Sequence, residues 1–129
     1  MLYNKSILSF LAVLLISFSS NAQYVFQRVD INPGTGHSRP GGHVGIDSLA
    51  YFYADDGTTG NELWISDGTV AGTKLIKDIY PGISSSQPQF FTKYKGKVYF
   101  TANDGTNGAE VWVTDGTPSG TQMLKDVRP

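Results

Sequence analysis

Short stretches of alternating apolar and polar residues run along this chain, and such alternation predicts β-strands. The stretch from Lys97 to Ala102 is a clear example, since Val98, Phe100 and Ala102 fall on one face at a period of two. Asp-Gly and Asn-Gly pairs follow such stretches, and they supply the positive backbone angles that tight turns need. No segment after residue 22 shows helical spacing. The pattern therefore predicts an all-β chain.

The second half of the chain is predicted to form four strands that follow one another through tight turns. They are Gln89–Tyr94, Lys97–Ala102, Glu110–Thr114 and Thr121–Val127. In the first half, Gly42–Ile46 and Leu49–Ala54 take the places of the first two strands. Strands joined by short turns pair antiparallel, so each half is expected to build one antiparallel sheet of four strands.

The two halves are copies of each other. The residues from Tyr51 to Asp78 recur from Tyr99 to Asp126 at a constant offset of 48, and 16 of these 28 pairs are identical. A repeat of this length is one supersecondary unit that buries its apolar face by stacking on a neighbour. Positions separated by this offset are called equivalent below.

The repeat predicts how the chain is organised. The stretch that ends at Pro33-Gly34 matches the stretch that ends at Pro81-Gly82, so a lone strand and turn are expected to precede the first complete unit. The predicted parts are a signal peptide over 1–22, the lone strand and turn over 23–37, a first unit over 38–82 and a second over 83–129.

The N-terminus predicts export. Lys5 precedes an apolar run of 12 residues, 7–18, and small and polar residues that end at Ala22 follow. This order of charge, apolar core and small residues is typical of a secretory signal peptide, and a membrane-spanning helix needs about 20 apolar residues. We therefore expect a secreted or surface-located protein with no membrane span after cleavage.

Composition narrows the classes of partner. The formal net charge is −1 and the chain has no cysteine. The charge argues against nucleic acid as a partner, since phosphate neutralisation needs a basic surface. Without disulfides, stability has to come from packing.

Four strands per unit and a lone initial strand favour a β-propeller-like architecture, because an N-terminal strand can complete the last blade of a ring. Two units cannot close a ring that typically has four to eight blades. Three explanations stay open: the chain is part of a longer repeat protein, several copies assemble, or the two units form a small open sandwich. Open sheet edges also allow self-association.

The repeated residues resemble a known family. The stretches from Glu62 to Thr69 and from Gly72 to Gly82, together with Tyr99 to Gly105, are similar to the secreted bacterial ELWxxDGT-repeat proteins. The resemblance implies long exported proteins of many repeats, often with a C-terminal sorting domain for type IX secretion to the cell surface. This sequence carries two full copies and no such sorting domain, and Val111 stands where the signature has Leu. The resemblance supplies no catalytic residue.

The first acidic turn of each unit is a candidate calcium site. Asp56 and Glu62 in one unit, and Asp104 and Glu110 in the other, place oxygen ligands near glycines. Calcium takes six to eight oxygens from such loops. The alternative is a plain hairpin turn in which Asp accepts backbone N–H bonds, and this interpretation is favoured. No other cofactor is indicated.

A second acidic turn and a tryptophan form the motif common to both units. Its members are Trp64, Asp67, Gly68 and Thr69 in the first unit, and Trp112, Asp115, Gly116 and Thr117 in the second. The Asp-Gly-Thr turns are expected to lock the link between the third and fourth strands through local hydrogen bonds. The tryptophans are expected to pack between sheets, and the alternative is a stacking platform for sugars.

No catalytic constellation is recognised, and the two histidines, His37 and His43, lie in a Gly- and Pro-rich connection. The sequence therefore predicts a non-catalytic exported module for binding or adhesion, with an extracellular protein or glycan as ligand. The alternative is a fragment of an extracellular carbohydrate-active enzyme, in which a pair of carboxylates would act as in glycosidases.

Overall fold

The computed structural model describes residues 28–125, and this part of the chain is all-β. It forms eight strands and no helix within these residues. The strands of the first sheet are β1 (Gly41–Ile46), β2 (Leu49–Asp55), β3 (Asn61–Ser66) and β4 (Lys74–Lys77). Those of the second are β5 (Gln89–Tyr94), β6 (Lys97–Asn103), β7 (Ala109–Thr114) and β8 (Gln122–Lys125). None of these residues belongs to a helix that is long and apolar enough to cross a membrane.

Both sheets are antiparallel meanders in which each strand pairs with the next along the chain. The predicted antiparallel sheets of four strands are thus confirmed, with strand ends shifted by one or two residues. The described part of the last predicted strand is β8, and its predicted end, Asp126 and Val127, lies outside the described residues. The predicted signal peptide also lies outside.

Residues 28–37 follow an irregular path, and residues 23–27, where the predicted lone strand begins, lie outside the described residues, so that strand stays a prediction. This segment takes no part in either ladder. Its end is instead tied to the first sheet, because the Asp55 N–H donates to the Ser38 carbonyl at 2.8 Å. The equivalent bond joins the Asn103 N–H to the Ser86 carbonyl at 2.9 Å.

The core lies between the two sheets. One face of the first sheet meets the face of the second that carries Trp112, and residues on opposite faces alternate along each strand. The cluster consists of Tyr51, Leu63, Ile65, Ile76, Ile79, Val98, Phe100, Ala102 and Trp112. The ring of Phe91, a partly buried residue that packs against this cluster, stacks on the ring of Phe100 with the two ring centres 5.6 Å apart.

A lysine joins the two sheets at the edge of this core. The Lys77 ammonium donates to the Thr121 carbonyl at 2.9 Å and lies 6.0 Å from the centre of the Trp112 ring. The indole N–H of Trp112 in turn donates to the Ala102 carbonyl at 3.1 Å. The polar end of each long side chain is therefore satisfied while its apolar part stays packed.

The first strand of each sheet contains a β-bulge, and the two bulges differ in residue type. Gly42 in β1 has a φ of +52° and its equivalent, Phe90 in β5, has a φ of +57°. An aromatic residue is a clear outlier in this left-handed region, where glycine pays no steric penalty. The Phe90 side chain is 77% exposed, so burial does not offset the strain.

Phe90→Gly is therefore expected to raise the free energy of unfolding by about 1 kcal/mol, because it removes the left-handed strain of a side chain that packs little. Urea unfolding of the whole chain measures the change. Thr92→Gly is the matched control, since Thr92 is also exposed in β5 and has no positive φ. It is expected to destabilise by about 0.5–1 kcal/mol, and equal effects of the two changes would contradict the strain at Phe90.

Candidate functional site

The first acidic turn, between β2 and β3, is built around one carboxylate oxygen. Asp56 Oδ1 accepts the backbone N–H groups of Thr58 and Thr59, both at 2.8 Å, and the hydroxyls of the same two threonines at 2.8 and 3.1 Å. Asp55 Oδ1 accepts the Gly57 N–H at 2.7 Å. Side chains that bond to nearby backbone in this way stabilise a turn.

The equivalent turn between β6 and β7 has the same backbone hydrogen bonds but a different side-chain bond. Asp104 Oδ1 accepts the N–H groups of Thr106 and Asn107 at 2.8 and 2.7 Å, while Asp104 Oδ2 accepts the Asn107 side-chain amide at 2.7 Å. Asn103 takes the part of Asp55, and its Oδ1 accepts the Gly105 N–H at 2.7 Å.

The second acidic turn links β3 to β4 through a chain of hydroxyls. Asp67 Oδ1 accepts the N–H and the hydroxyl of Thr69 at 2.9 and 2.7 Å. The Thr69 hydroxyl oxygen also accepts the Gly72 N–H at 2.9 Å, and the Thr69 carbonyl accepts the Thr73 hydroxyl at 2.7 Å. The hydroxyls of Thr73 and Ser66 lie 2.6 Å apart, which joins the end of β3 to the start of β4.

The turn between β7 and β8 has the same hydrogen bonds as the turn between β3 and β4. Asp115 Oδ1 accepts the N–H and hydroxyl of Thr117 at 2.9 and 2.7 Å, and the Thr117 carbonyl accepts the Thr121 hydroxyl at 2.7 Å. Gly120 packs so close to the Asp115 carboxylate that a Cβ at this position would overlap it, as it would between Gly72 and Asp67. This contact explains why the turn needs glycine at its fifth position after Asp.

Hydrogen bonds lower the pKa of the turn carboxylates. The Thr69 hydroxyl and N–H lower the pKa of Asp67, and the Thr117 groups do the same for the pKa of Asp115. The N–H groups of Asn107 and Thr106 lower the pKa of Asp104. For Asp56, partial burial acts to raise the pKa, but the bonds from Thr59 and Thr58 outweigh it and the pKa is lowered. All four side chains therefore favour the ionised form, which accepts these bonds best.

Glu62 is fully buried and lies at the start of β3. Its Oε2 accepts the Ile79 N–H at 2.9 Å and the Ser86 hydroxyl at 2.6 Å, while its Oε1 accepts the Ser86 N–H at 2.9 Å and the Tyr80 N–H at 3.4 Å. Two more bonds support this cradle, because Asn61 donates its N–H to the Ser85 hydroxyl oxygen at 2.9 Å and its carbonyl accepts the Ser86 hydroxyl at 3.4 Å. The carboxylate thus holds both ends of the connection between the two sheets.

Burial raises the pKa of Glu62, and the hydrogen bonds from Ser86, Ile79 and Tyr80 oppose that rise. A carboxyl group whose pKa is raised on folding favours the protonated form in the folded state. Its contribution to stability is therefore complete below its ordinary pKa of 4.5 and is lost as the pH rises through the raised value.

The structure places the four candidate calcium ligands in two different kinds of environment. Asp56 and Asp104 accept bonds from their own turns, whereas Glu62 and its equivalent Glu110 are buried. All four lone-pair directions of Glu62 are used by donors of the connection. Within residues 28–125, no group of three or more His, Cys, Asp or Glu is placed to hold a metal ion. The calcium site stays a prediction for these residues.

Both tryptophans of the repeated motif are buried. Trp112 belongs to the core between the sheets, and Trp64 lies on β3 between Leu63 and Ile65, on the opposite face from these two neighbours. A buried indole presents neither of its faces to solvent, which a sugar platform would require. Trp112 packs between the two sheets, whereas Trp64 is buried on the face of the first sheet that does not meet the second, and its indole N–H has no hydrogen-bond partner within the described residues.

Ser86 is a site residue that the sequence interpretation missed. It supplies two of the four donors to Glu62, yet it stands in a Ser-rich connection where serine is unremarkable. The sequence signal that could have identified Ser86 was its recurrence, because serine also stands at the equivalent position, Ser38. The carbonyls of both serines accept a backbone N–H from the sheet that follows.

A scan against protein-family models, a search of curated proteins and a search of solved structures each found no match to this chain.

Glu62→Gln is expected to lower the free energy of unfolding by roughly 3 kcal/mol. The change replaces one carboxylate oxygen by an NH2 group, and in either orientation of the amide this donor faces a backbone N–H. Urea unfolding at neutral pH measures the loss. Asp47→Asn serves as the control, since Asp47 is exposed in the β1–β2 turn at a φ of +52°, which Asn tolerates well. Equal stability of the two variants would contradict the role of the Glu62 cradle.

The double variant Asp67→Asn, Asp115→Asn is expected to make stability less dependent on pH in acid. The lowered pKa values of these aspartates mean that the wild-type chain loses stability as the pH falls from their ordinary value of 3.8 through the lowered values. Asparagine keeps an acceptor for the Thr69 and Thr117 bonds but does not titrate. Thermal unfolding between pH 2 and pH 6 measures the slope, and an unchanged slope in the variant would contradict the assignment.

Proposed function

We propose that this chain is an exported, non-catalytic repeat module of the ELWxxDGT type, which binds an extracellular protein or polysaccharide and forms part of a larger propeller-like stack. One observation carries the proposal. Leu63 and Ile76 are covered in the first sheet, whereas their equivalents Val111 and Leu124 are open on the same face of the second sheet, where Val113 is buried.

The difference in burial is large. Leu63 in β3 is 0% exposed whereas its equivalent Val111 in β7 is 40% exposed, and Ile76 in β4 is 4% exposed whereas Leu124 in β8 is 57% exposed. In the first sheet this face packs against the second sheet. The second sheet carries the same apolar pattern, and its open face matches what a further sheet of this kind would cover.

The connection between the sheets supports the same proposal. Gly60 is buried beneath the connection, where a Cβ would lie 2.7 Å from the Ser84 carbonyl oxygen, while its equivalent Gly108 is exposed. The turn before β7 therefore has the shape that receives such a connection. A module of this kind extends by adding units, each of which covers the last.

The acidic residues common to both units hold turns and the connection in place, and this structural role supports a non-catalytic module. Asp56, Asp67 and their equivalents fix turns, and Glu62 fixes the connection. A residue needed in every unit for its turn is better explained by folding than by one active site. Binding is then expected at surfaces where the units differ.

Retention without conversion is the result expected when the full-length chain is immobilised and offered soluble polysaccharides and extracellular proteins. Retained glycan is eluted and its reducing ends are counted before and after contact. New reducing ends would contradict the non-catalytic function and favour a glycosidase. The mass of the native polypeptide, detected with an antibody against the chain, tests the larger stack: a mass well above the 14.0 kDa of this sequence supports it, and a mass of 14.0 kDa or less contradicts it.

Val111→Lys and Leu63→Lys form a matched pair for the open face. Leu63→Lys is expected to destabilise by more than about 3 kcal/mol because it buries a charge, whereas Val111→Lys should change stability by less than about 0.5 kcal/mol. Urea unfolding gives both values. Equal losses would mean that the face of the second sheet is covered in the isolated chain.

A further inference from the structure

The hairpin between β5 and β6 concentrates positive charge. Its sequence, Lys93-Tyr94-Lys95-Gly96-Lys97, places three lysines in five residues of a chain whose formal net charge is −1. Lys93, Lys95 and Lys97 are all exposed. The charge is therefore local to one hairpin and is not a property of the whole surface.

The equivalent hairpin of the first sheet shows that the fold does not require these residues. Gly45-Ile46-Asp47-Ser48-Leu49 stands in the same place, and the backbone is the same, since Asp47 has a φ of +52° and Lys95 a φ of +47°. The left-handed region is more readily adopted by Asp than by Lys. Lys95 thus occupies a position for which the backbone favours another residue.

Tyr94 adds an exposed aromatic ring between these lysines. It is 58% exposed, although its equivalent Ile46 packs against the core between the sheets. The Lys95 ammonium lies 5.3 Å from the centre of the Tyr94 ring, and the ring of Tyr99 is inclined to it by 60° with the two ring centres 6.2 Å apart. These contacts support the ring from its neighbours while leaving more than half of its surface in solvent.

A shallow concavity of about 310 Å³ opens beside this ring. It is lined by Ile46 from the first sheet and by Lys93, Tyr94, Lys95 and Gly96 from the second. The concavity therefore lies at the seam where the two hairpins meet. An open groove of this kind suits a chain that runs across it better than a small ligand that needs enclosure.

We propose that this hairpin binds an anionic polysaccharide, with Tyr94 stacking on a pyranose ring and the lysines pairing with carboxylates of adjoining uronic acid units. The assignment rests on the proposed binding function and specifies its site and ligand class. An aromatic face provides apolar area for the ring, and ammonium groups provide charge-assisted hydrogen bonds to carboxylates. Three cations on a chain of net negative charge fit a polymer with one charge per sugar better than the denser charge of nucleic acid.

Affinity electrophoresis of the full-length chain in gels that contain polygalacturonate tests the site, with dextran as the neutral polymer. The wild-type chain is expected to be slowed by polygalacturonate and not by dextran. Tyr94→Ile and Lys95→Asp each introduce the residue found in the first hairpin, so both variants are expected to fold. Each should weaken retention at least tenfold. Lys74→Glu changes the net charge by the same amount as Lys95→Asp at an exposed position in β4, and it should leave retention unchanged.

Four outcomes would overturn the assignment: no retention of the wild-type chain at low salt, full retention by Tyr94→Ile, an equal loss in Lys74→Glu, or tighter retention by single-stranded DNA than by polygalacturonate. Thermal unfolding of each variant confirms that a loss of retention is not a loss of fold. If the chain retains a neutral glycan or a protein and the hairpin variants retain it equally, the proposed function stands and this site is wrong.

Discussion

The arrangement of the two sheets depends on one buried carboxylate. Glu62 accepts bonds from Ile79 where the chain leaves the first sheet and from Ser86 where it enters the second, so the connection is closed into a loop at both ends. The same connection is tied to the second sheet by the bond from the Asn103 N–H to the Ser86 carbonyl. A single side chain therefore sets where the second sheet begins relative to the first, and the apolar faces meet in the register that this spacing imposes.

A buried charge is a demanding way to fix a connection. Ionised carboxylates lose much of their hydration on burial, and the raised pKa of Glu62 indicates that its four donors offset this loss only in part. This need for donors makes the orientation of the connection specific, since an apolar residue at this position would pack against the connection in many orientations. The N–H and O–H groups of Ile79, Tyr80 and Ser86 can all donate to Glu62 in only one orientation of the connection. Packing between the sheets supplies the stability, and Glu62 selects the geometry in which that packing occurs.

The strands and turns could be predicted from the sequence because their causes are local. Alternation marks the strands, and the Asp-Gly pairs mark the turns whose side chains hold them. Local pattern says nothing of which faces are covered, so Leu63 and Val111 look alike in sequence although one is buried and the other is open. The left-handed conformations of Phe90 and Lys95 were also beyond prediction, because the bulge and turn of each sheet impose them on residue types that rarely adopt them.

The hydrogen bonds of the acidic turns affect a slow chemical change, the isomerisation of aspartate. Aspartate followed by glycine is the pair at which the next backbone nitrogen most readily attacks the side-chain carboxyl carbon. Water leaves, a cyclic imide forms, and its hydrolysis gives the β-linked isomer. The attack requires a protonated carboxyl group and a backbone free to rotate. Asp67 and Asp115 are held ionised by threonine donors and sit in turns closed by several bonds, so both requirements are opposed. The same contacts that shape the turns are therefore expected to slow this isomerisation.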